Sequence, residues 1–216
     1  MSSTIDKVLQ DAVDAGAVPN AVAVAADRNG VIYEGAAGPR VAGSDQPVTA
    51  DTHYRIMSMT KMVATVAALQ QVEKGALDLD APVDTYRPEF ADLQVLEGFD
   101  GDTPRLRAPA SRATVKQLVT HTAGLGYWFW DADLVQRRAN FSAGHKWGYG
   151  LLLNTEDVPG MQTANSGAWA GLMNTHFLVD PTTGVTGAIY TQFLPFVPEE
   201  AMRMYADFEK AVYASL

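Results

Sequence analysis

Apolar and polar positions along this chain follow two rhythms. Ile5, Val8, Leu9 and Val13 recur at helical spacing behind the capping residues Ser2, Ser3 and Thr4, which predicts an amphipathic helix stopped by Gly16 and Pro19. Residues 21–26 form a small, β-branched run and residues 31–33 a second. The Asp27-Arg28-Asn29-Gly30 stretch between them predicts a β-hairpin. Residues 58–74 predict a long helix ended by Gly75; Met59, Met62, Val63, Val66, Ala67 and Leu69 cover most of its circumference, so it is expected to be buried on nearly all sides. Residues 77–109 are rich in Pro, Asp and Gly and read as irregular, and Thr114 caps a short helix over 114–118. Strand candidates follow at 147–153, 166–179 and 185–194. Residues 197–216 then form an amphipathic helix with Ala201, Tyr205, Phe208 and Val212 on its buried stripe.

This order predicts an α+β fold: an antiparallel sheet of two N-terminal and three C-terminal strands, flanked by the terminal helices. The length of 216 residues fits a single domain over 1–216. An apolar content of 47% against 19% charged argues for a packed core and against disorder. The net charge of -9, with no basic face, excludes a nucleic-acid partner. There is no cysteine, so disulfides, thiolate metal sites and cysteine nucleophiles are excluded. The N-terminus has no basic region followed by an apolar run, and the apolar stretch 62–69 is interrupted by Thr65, far short of the ~20 residues a membrane span needs. The expectation is a cytoplasmic protein with no membrane partner.

No Gly-x-Ser-x-Gly elbow, phosphate-binding loop or Gly-x-Gly-x-x-Gly is present. His53, His121, His145 and His176 show no metal-ligand spacing and read as structural or surface residues, so no metal or cofactor is expected. Ser58-Met59-Thr60-Lys61 stands out. Ser-x-x-Lys is common by chance, but here it opens a helix. Residues three apart share a helix face, so hydroxyl and amine can meet. The positive end of the helix dipole and the neighbouring Met57, Met59, Met62 and Val63 favour a neutral amine, which a serine nucleophile needs as its base. The bland alternative is an N-cap serine followed by a snorkelling lysine.

Residues 54–61 (Tyr-Arg-Ile-Met-Ser-Met-Thr-Lys), 75–83 (Gly-Ala-Leu-Asp-Leu-Asp-Ala-Pro-Val), 114–125 (Thr-Val-Lys-Gln-Leu-Val-Thr-His-Thr-Ala-Gly-Leu), 153–160 (Leu-Asn-Thr-Glu-Asp-Val-Pro-Gly) and 169–172 (Trp-Ala-Gly-Leu) together resemble the serine β-lactamase-like superfamily, and within it the family VIII carboxylesterases. The resemblance implies a serine hydrolase cleaving short-chain acyl esters through an acyl-Ser58 intermediate, with weak β-lactam hydrolysis a further outcome. Lys61 would accept the serine proton. Trp169, Ala170 and Gly171 would stand where β-lactamases carry Lys-Thr-Gly, and the backbone N–H of Ser58 with one near Gly171 or Leu172 would form the oxyanion hole. Tyr127 would line the pocket.

The sequence departs from this family in one respect. Members carry a helical domain with a Tyr-x-Asn-type motif between an N-terminal block, here 1–138, and a C-terminal block, here 146–216. No such motif occurs in this chain, and the blocks meet at a seam near 138–146. The fold is therefore expected to have a reduced helical part, and apolar surface left by it to favour self-association. Tyr149 is a weak candidate for the missing proton shuttle, since it reads as an ordinary strand residue. The competing class is a catalytically impaired or inactive form, a scaffold that keeps the fold without the chemistry.

Overall fold

Helix α1 (Ser2–Asp14) opens the fold in the computed structural model, which describes residues 2–100, 103–126 and 145–216. The described residues gather into two compact units. One holds those up to Val63 and those from His145 onward; the other holds those from Ala64 to Gly126.

In the first unit, α1 is followed by the antiparallel strands β1 (Ala21–Asp27) and β2 (Gly30–Ala37), the hairpin predicted from Asn29-Gly30. Asp27 Oδ1 accepts from the backbone N–H of Asn29 at 2.7 Å and of Gly30 at 3.1 Å, which closes the turn. A 3₁₀ turn over Met57–Met59 leads into helix α2 (Thr60–Glu73), whose residues from Ala64 onward belong to the second unit.

In the second unit, the segment read as irregular contains a hairpin of β3 (Val95–Asp100) and β4 (Thr103–Arg107). A register shift between Leu96 and Gly98 breaks the alternation that would have announced it. Helix α3 (Val115–Val119) follows, with the expected cap: Thr114 Oγ1 accepts from Gln117 N while the Gln117 side chain accepts from Thr114 N, a reciprocal capping box. Arg112 grips Asp84 through two guanidinium nitrogens in the same unit.

The chain then returns to the first unit with strands β5 (His145–Trp147), β6 (Leu152–Asn154), β7 (Gly167–Gly171), β8 (Thr175–Asp180) and β9 (Val185–Tyr190), and ends in helix α4 (Glu199–Tyr213). Among the described residues seven strands form one sheet in the order β2-β1-β9-β8-β7-β6-β5, with every neighbouring pair antiparallel. The expected α+β antiparallel fold is therefore present, with a corrected count. Three C-terminal strands were expected and five are found, because the runs 147–153 and 166–179 each fold back into a hairpin.

The core lies on one face of this sheet. Helices α1 and α4 pack side by side there, and Ile5, Leu9, Phe208 and Val212 meet Ala21, Ala23, Ala25 and Ile189 in one buried cluster. Each of Ile5, Leu9 and Phe208 contributes about 1.5–3 kcal/mol by leaving water. A side chain at Gly187 would stand 3.3 Å from the Phe208 ring, so this glycine makes room for it. Asp180, fully buried at the end of β8, accepts from Thr163 N and Oγ1, Thr182 N and Tyr213 Oη at 2.8–3.0 Å. Burial opposes its charge, but these bonds outweigh that and bring its pKa down to about 2.

Helix α2 corrects another expectation. Met59, just before it, and Thr65 are buried, but Val63 and Val66 are 61% and 42% exposed, so its apolar circumference is only partly covered. An all-round apolar helix states that many of its faces are apolar; it does not say which neighbours exist to cover them.

Candidate active site

Ser58 sits within the 3₁₀ turn and Lys61 in the first turn of α2. The change from three to 3.6 residues per turn leaves the two side chains on one face. Lys61 Nζ donates to Ser58 Oγ at 2.8 Å, and both residues are half-buried. The pair singled out in the sequence is thus assembled.

The residues before Ser58 are held from the sheet. Arg55 N donates to Gln192 Oε1 at 2.9 Å, and Thr175 Oγ1 donates to Ile56 O at 3.2 Å. Ile56 O also accepts from Met59 N at 3.1 Å, which closes the 3₁₀ turn. Met57 has φ +49°, in the left-handed region that a side chain disfavours by roughly 1–2 kcal/mol. Strain of this kind persists where surrounding contacts over-determine the backbone, and it recurs beside reactive groups.

Strand β7 supplies the opposite wall. A Cβ built on Gly171 would collide with Ile56 O and Thr175 Oγ1 and stand 3.0 Å from Met57 Cβ. The absence of a side chain is what lets the strand approach the serine turn. Trp169, two residues earlier, shares that face. Ala170 takes the other face. It pairs with His176, whose ring stacks on Tyr205 of α4 with centroids 4.8 Å apart. The Ala170 side chain therefore points at the helices, leaving only its backbone to take part in a site. Leu172 opens the β7–β8 turn and is 38% exposed. Tyr127 and most of the seam lie outside the described residues. Tyr149 is exposed and falls in the turn between β5 and β6, not within a strand.

An open, largely apolar pocket of about 350 Å³ lies on the same sheet face, lined among others by Ile56, Met59, Met62, Phe177 and Tyr190. Ser58 and Lys61 are not among its lining residues. Among the described residues no three His, Asp or Glu side chains converge as a metal site would require. Among the described residues no helix is long and apolar enough to cross a membrane. Gln192 and Thr175 escaped the sequence reading, because polar residues beside strand ends carry no pattern of their own.

The sheet, the serine turn and the flanking helices can be set beside known proteins. A model of the Beta-lactamase family matches residues 5–149. The chain belongs to the beta-lactamase family. Among its curated relatives are a lovastatin esterase from Penicillium rubens, 38% identical over 142 residues (64% of this chain, 36% of that protein), and the acyltransferase mokF from Monascus pilosus, 38% identical over 132 residues (58% and 32%). The chain thus spans about a third of the length of these relatives. A simvastatin synthase variant from Aspergillus terreus superposes with a TM-score of 0.87 at 18% identity, covering 98% of this chain and 96% of that one. At that identity the likeness shows the shared beta-lactamase-type fold.

Proposed function

We propose that this chain is a serine hydrolase of the beta-lactamase family that cleaves small neutral esters through an acyl-Ser58 intermediate. The observation that carries this reading is the 2.8 Å hydrogen bond from Lys61 to Ser58 at the head of α2. That its relatives include a lovastatin esterase and an acyltransferase supports acyl transfer as the reaction class.

In this reading Ser58 Oγ attacks the ester carbonyl while Lys61 Nζ takes the hydroxyl proton. The oxyanion is held by the Ser58 N–H and a backbone N–H near Gly171 or Leu172. One such donor is worth about 10²–10³ in rate. Collapse breaks the bond to the alkoxide, which leaves as the alcohol with the proton from Lys61. Water, or a second alcohol, then attacks the acyl-Ser58 carbonyl, and Ser58 regains its proton. The Trp169 and Gly171 face would flank the acyl group.

Intact-mass measurement after a fluorophosphonate tests the reading. A single adduct mapped to Ser58 is expected. No adduct at high reagent concentration would sink it and leave the alternative, a scaffold that keeps the fold without the chemistry.

A further inference from the structure

Residues 53–56, immediately before the serine turn, have no regular secondary structure, so their backbone polar groups need partners from elsewhere. Arg55 finds both of its partners on one side chain. Its N–H donates to Gln192 Oε1 at 2.9 Å, and Gln192 Nε2 donates back to Arg55 O at 3.4 Å. A side-chain amide here reproduces the two-way exchange that a hydrogen-bonded residue pair makes in an antiparallel ladder. Gln192 stands two residues beyond the end of β9, where the strand backbone no longer supplies that exchange.

The mount of Gln192 is rigid. Thr191, fully buried, donates through Oγ1 to Met173 O and Asn174 O, both at 2.9 Å. Buried Asn174 donates to Phe193 O at 3.0 Å and to Pro195 O at 2.9 Å, and accepts from Val197 N at 2.7 Å. The neighbours of Gln192 on both sides are thereby tied to the β7–β8 turn, the same turn that follows Gly171. On the other side of the clamp, the two residues after Arg55 are Ile56, held by Thr175, and Met57 at φ +49°. Ser58 comes next. A left-handed residue is retained only while both of its flanks are fixed. The downstream flank is the rest of the 3₁₀ turn and α2; the upstream flank is Ile56, held by Thr175, with Arg55 behind it in the grip of Gln192.

We infer that Gln192 is a positioning residue for the nucleophile: its amide fixes Arg55, and through the strained Met57 it aims Ser58 Oγ between Lys61 and the β7 edge. The inference rests on the serine-hydrolase reading of Ser58 and Lys61. Without the clamp, residues 55–57 relax, and attack slows while the sheet and helices stay intact. The chemistry also specifies a rescue. The shorter bond uses the oxygen of Gln192 as acceptor, and a glutamate keeps that acceptor while giving up only the longer bonds that Nε2 donates to Arg55 O and Thr191 O.

The test compares wild type, Gln192→Ala and Gln192→Glu in fluorophosphonate labelling of Ser58. Saturation kinetics separate reagent affinity from the rate of bond formation, and thermal unfolding and amide hydrogen exchange at Arg55 are followed alongside. Gln192→Ala is expected to label about tenfold more slowly at saturation, with affinity and unfolding temperature unchanged and faster exchange at Arg55. Gln192→Glu should restore the rate to within about threefold and restore protection. Labelling of Gln192→Ala at the wild-type rate overturns the inference. So does a slow rate that the glutamate leaves unrescued and that accompanies a lowered unfolding temperature, since the residue would then be merely structural. If wild type itself fails to label, the hydrolase reading falls separately, and exchange at Arg55 decides the clamp: protection lost in Gln192→Ala upholds it, and protection unchanged overturns it.

Discussion

Gly171 meets Ile56 across the gap between strand β7 and the serine turn, so closely that a Cβ on the glycine would collide with the Ile56 carbonyl oxygen. This contact sets the separation between the nucleophile's turn and the strand proposed to face the substrate. Gly171→Ala should push the two apart. The expected result is at least a tenfold loss of ester hydrolysis and a destabilisation of about 1–3 kcal/mol, the usual cost of overpacking. Chemical denaturation and a chromogenic ester assay on the same variant measure both. An alanine variant with full activity would show that the approach of β7 is not needed.

The proton path from Ser58 to Lys61 makes a second prediction. Ser58→Ala should abolish ester hydrolysis, and Lys61→Ala should lose at least about 100-fold by removing the base. Loss of the hydroxyl removes the bond-forming atom; loss of the amine leaves it in place without its 2.8 Å partner. Turnover that persists in Ser58→Ala would place the activity elsewhere on the protein.

Substrate charge is the third. Trp169-Ala170-Gly171 carries no charged residue where β-lactamases are expected to present a lysine to the substrate carboxylate. The Gly171 contact leaves no room to add a side chain at the last of these positions. A neutral butyrate ester should therefore be turned over with a higher kcat/KM than a carboxylate-bearing cephalosporin. Parallel measurements that favoured the cephalosporin would refute this.

These features were unequally visible in the sequence. The terminal helices announced themselves because Ile5 and Leu9 on α1 and Ala201, Phe208 and Val212 on α4 repeat at helical spacing, and all are buried. The first hairpin was marked by Asn29-Gly30. The β7–β8 hairpin was hidden because its turn opens with the apolar Leu172 and Met173, which prolong the strand pattern; the reversal falls at Asn174, at φ +58°. Ser58 and Lys61 were legible because their partnership is local, three residues apart. Gln192 and Thr175 were not, because each reaches a backbone group 137 or 119 residues away. Such a bond leaves no period to read. The direction of the Ala170 side chain was hidden for a related reason: it depends on the pairing with His176, which only the register fixes.

The fourth prediction concerns acid stability and His176. This residue is buried on β8 against Tyr205, and its Nε2 finds no hydrogen-bond partner among the described residues. Protonation would place an N–H and a charge where nothing accepts them, so burial pulls the pKa from 6.5 down to about 4. The folded value lies below the unfolded one. Between those two values the unfolded chain binds a proton that the native chain refuses, and stability falls as the pH is lowered through that window. At 1.36 kcal/mol per unit the full effect is about 3 kcal/mol. Glu209, buried on α4, acts in the opposite sense: burial raises its pKa, so it gains stability as the pH falls toward its unfolded value of 4.5. The two are separated by His176→Phe, which keeps an aromatic ring against Tyr205 and removes the titration. Urea unfolding of both proteins at intervals from pH 7 to pH 4 should show wild type losing stability relative to the variant, with the gap opening below about pH 6.5. Curves that stay parallel across that range would show that His176 is protonated in the native state without penalty.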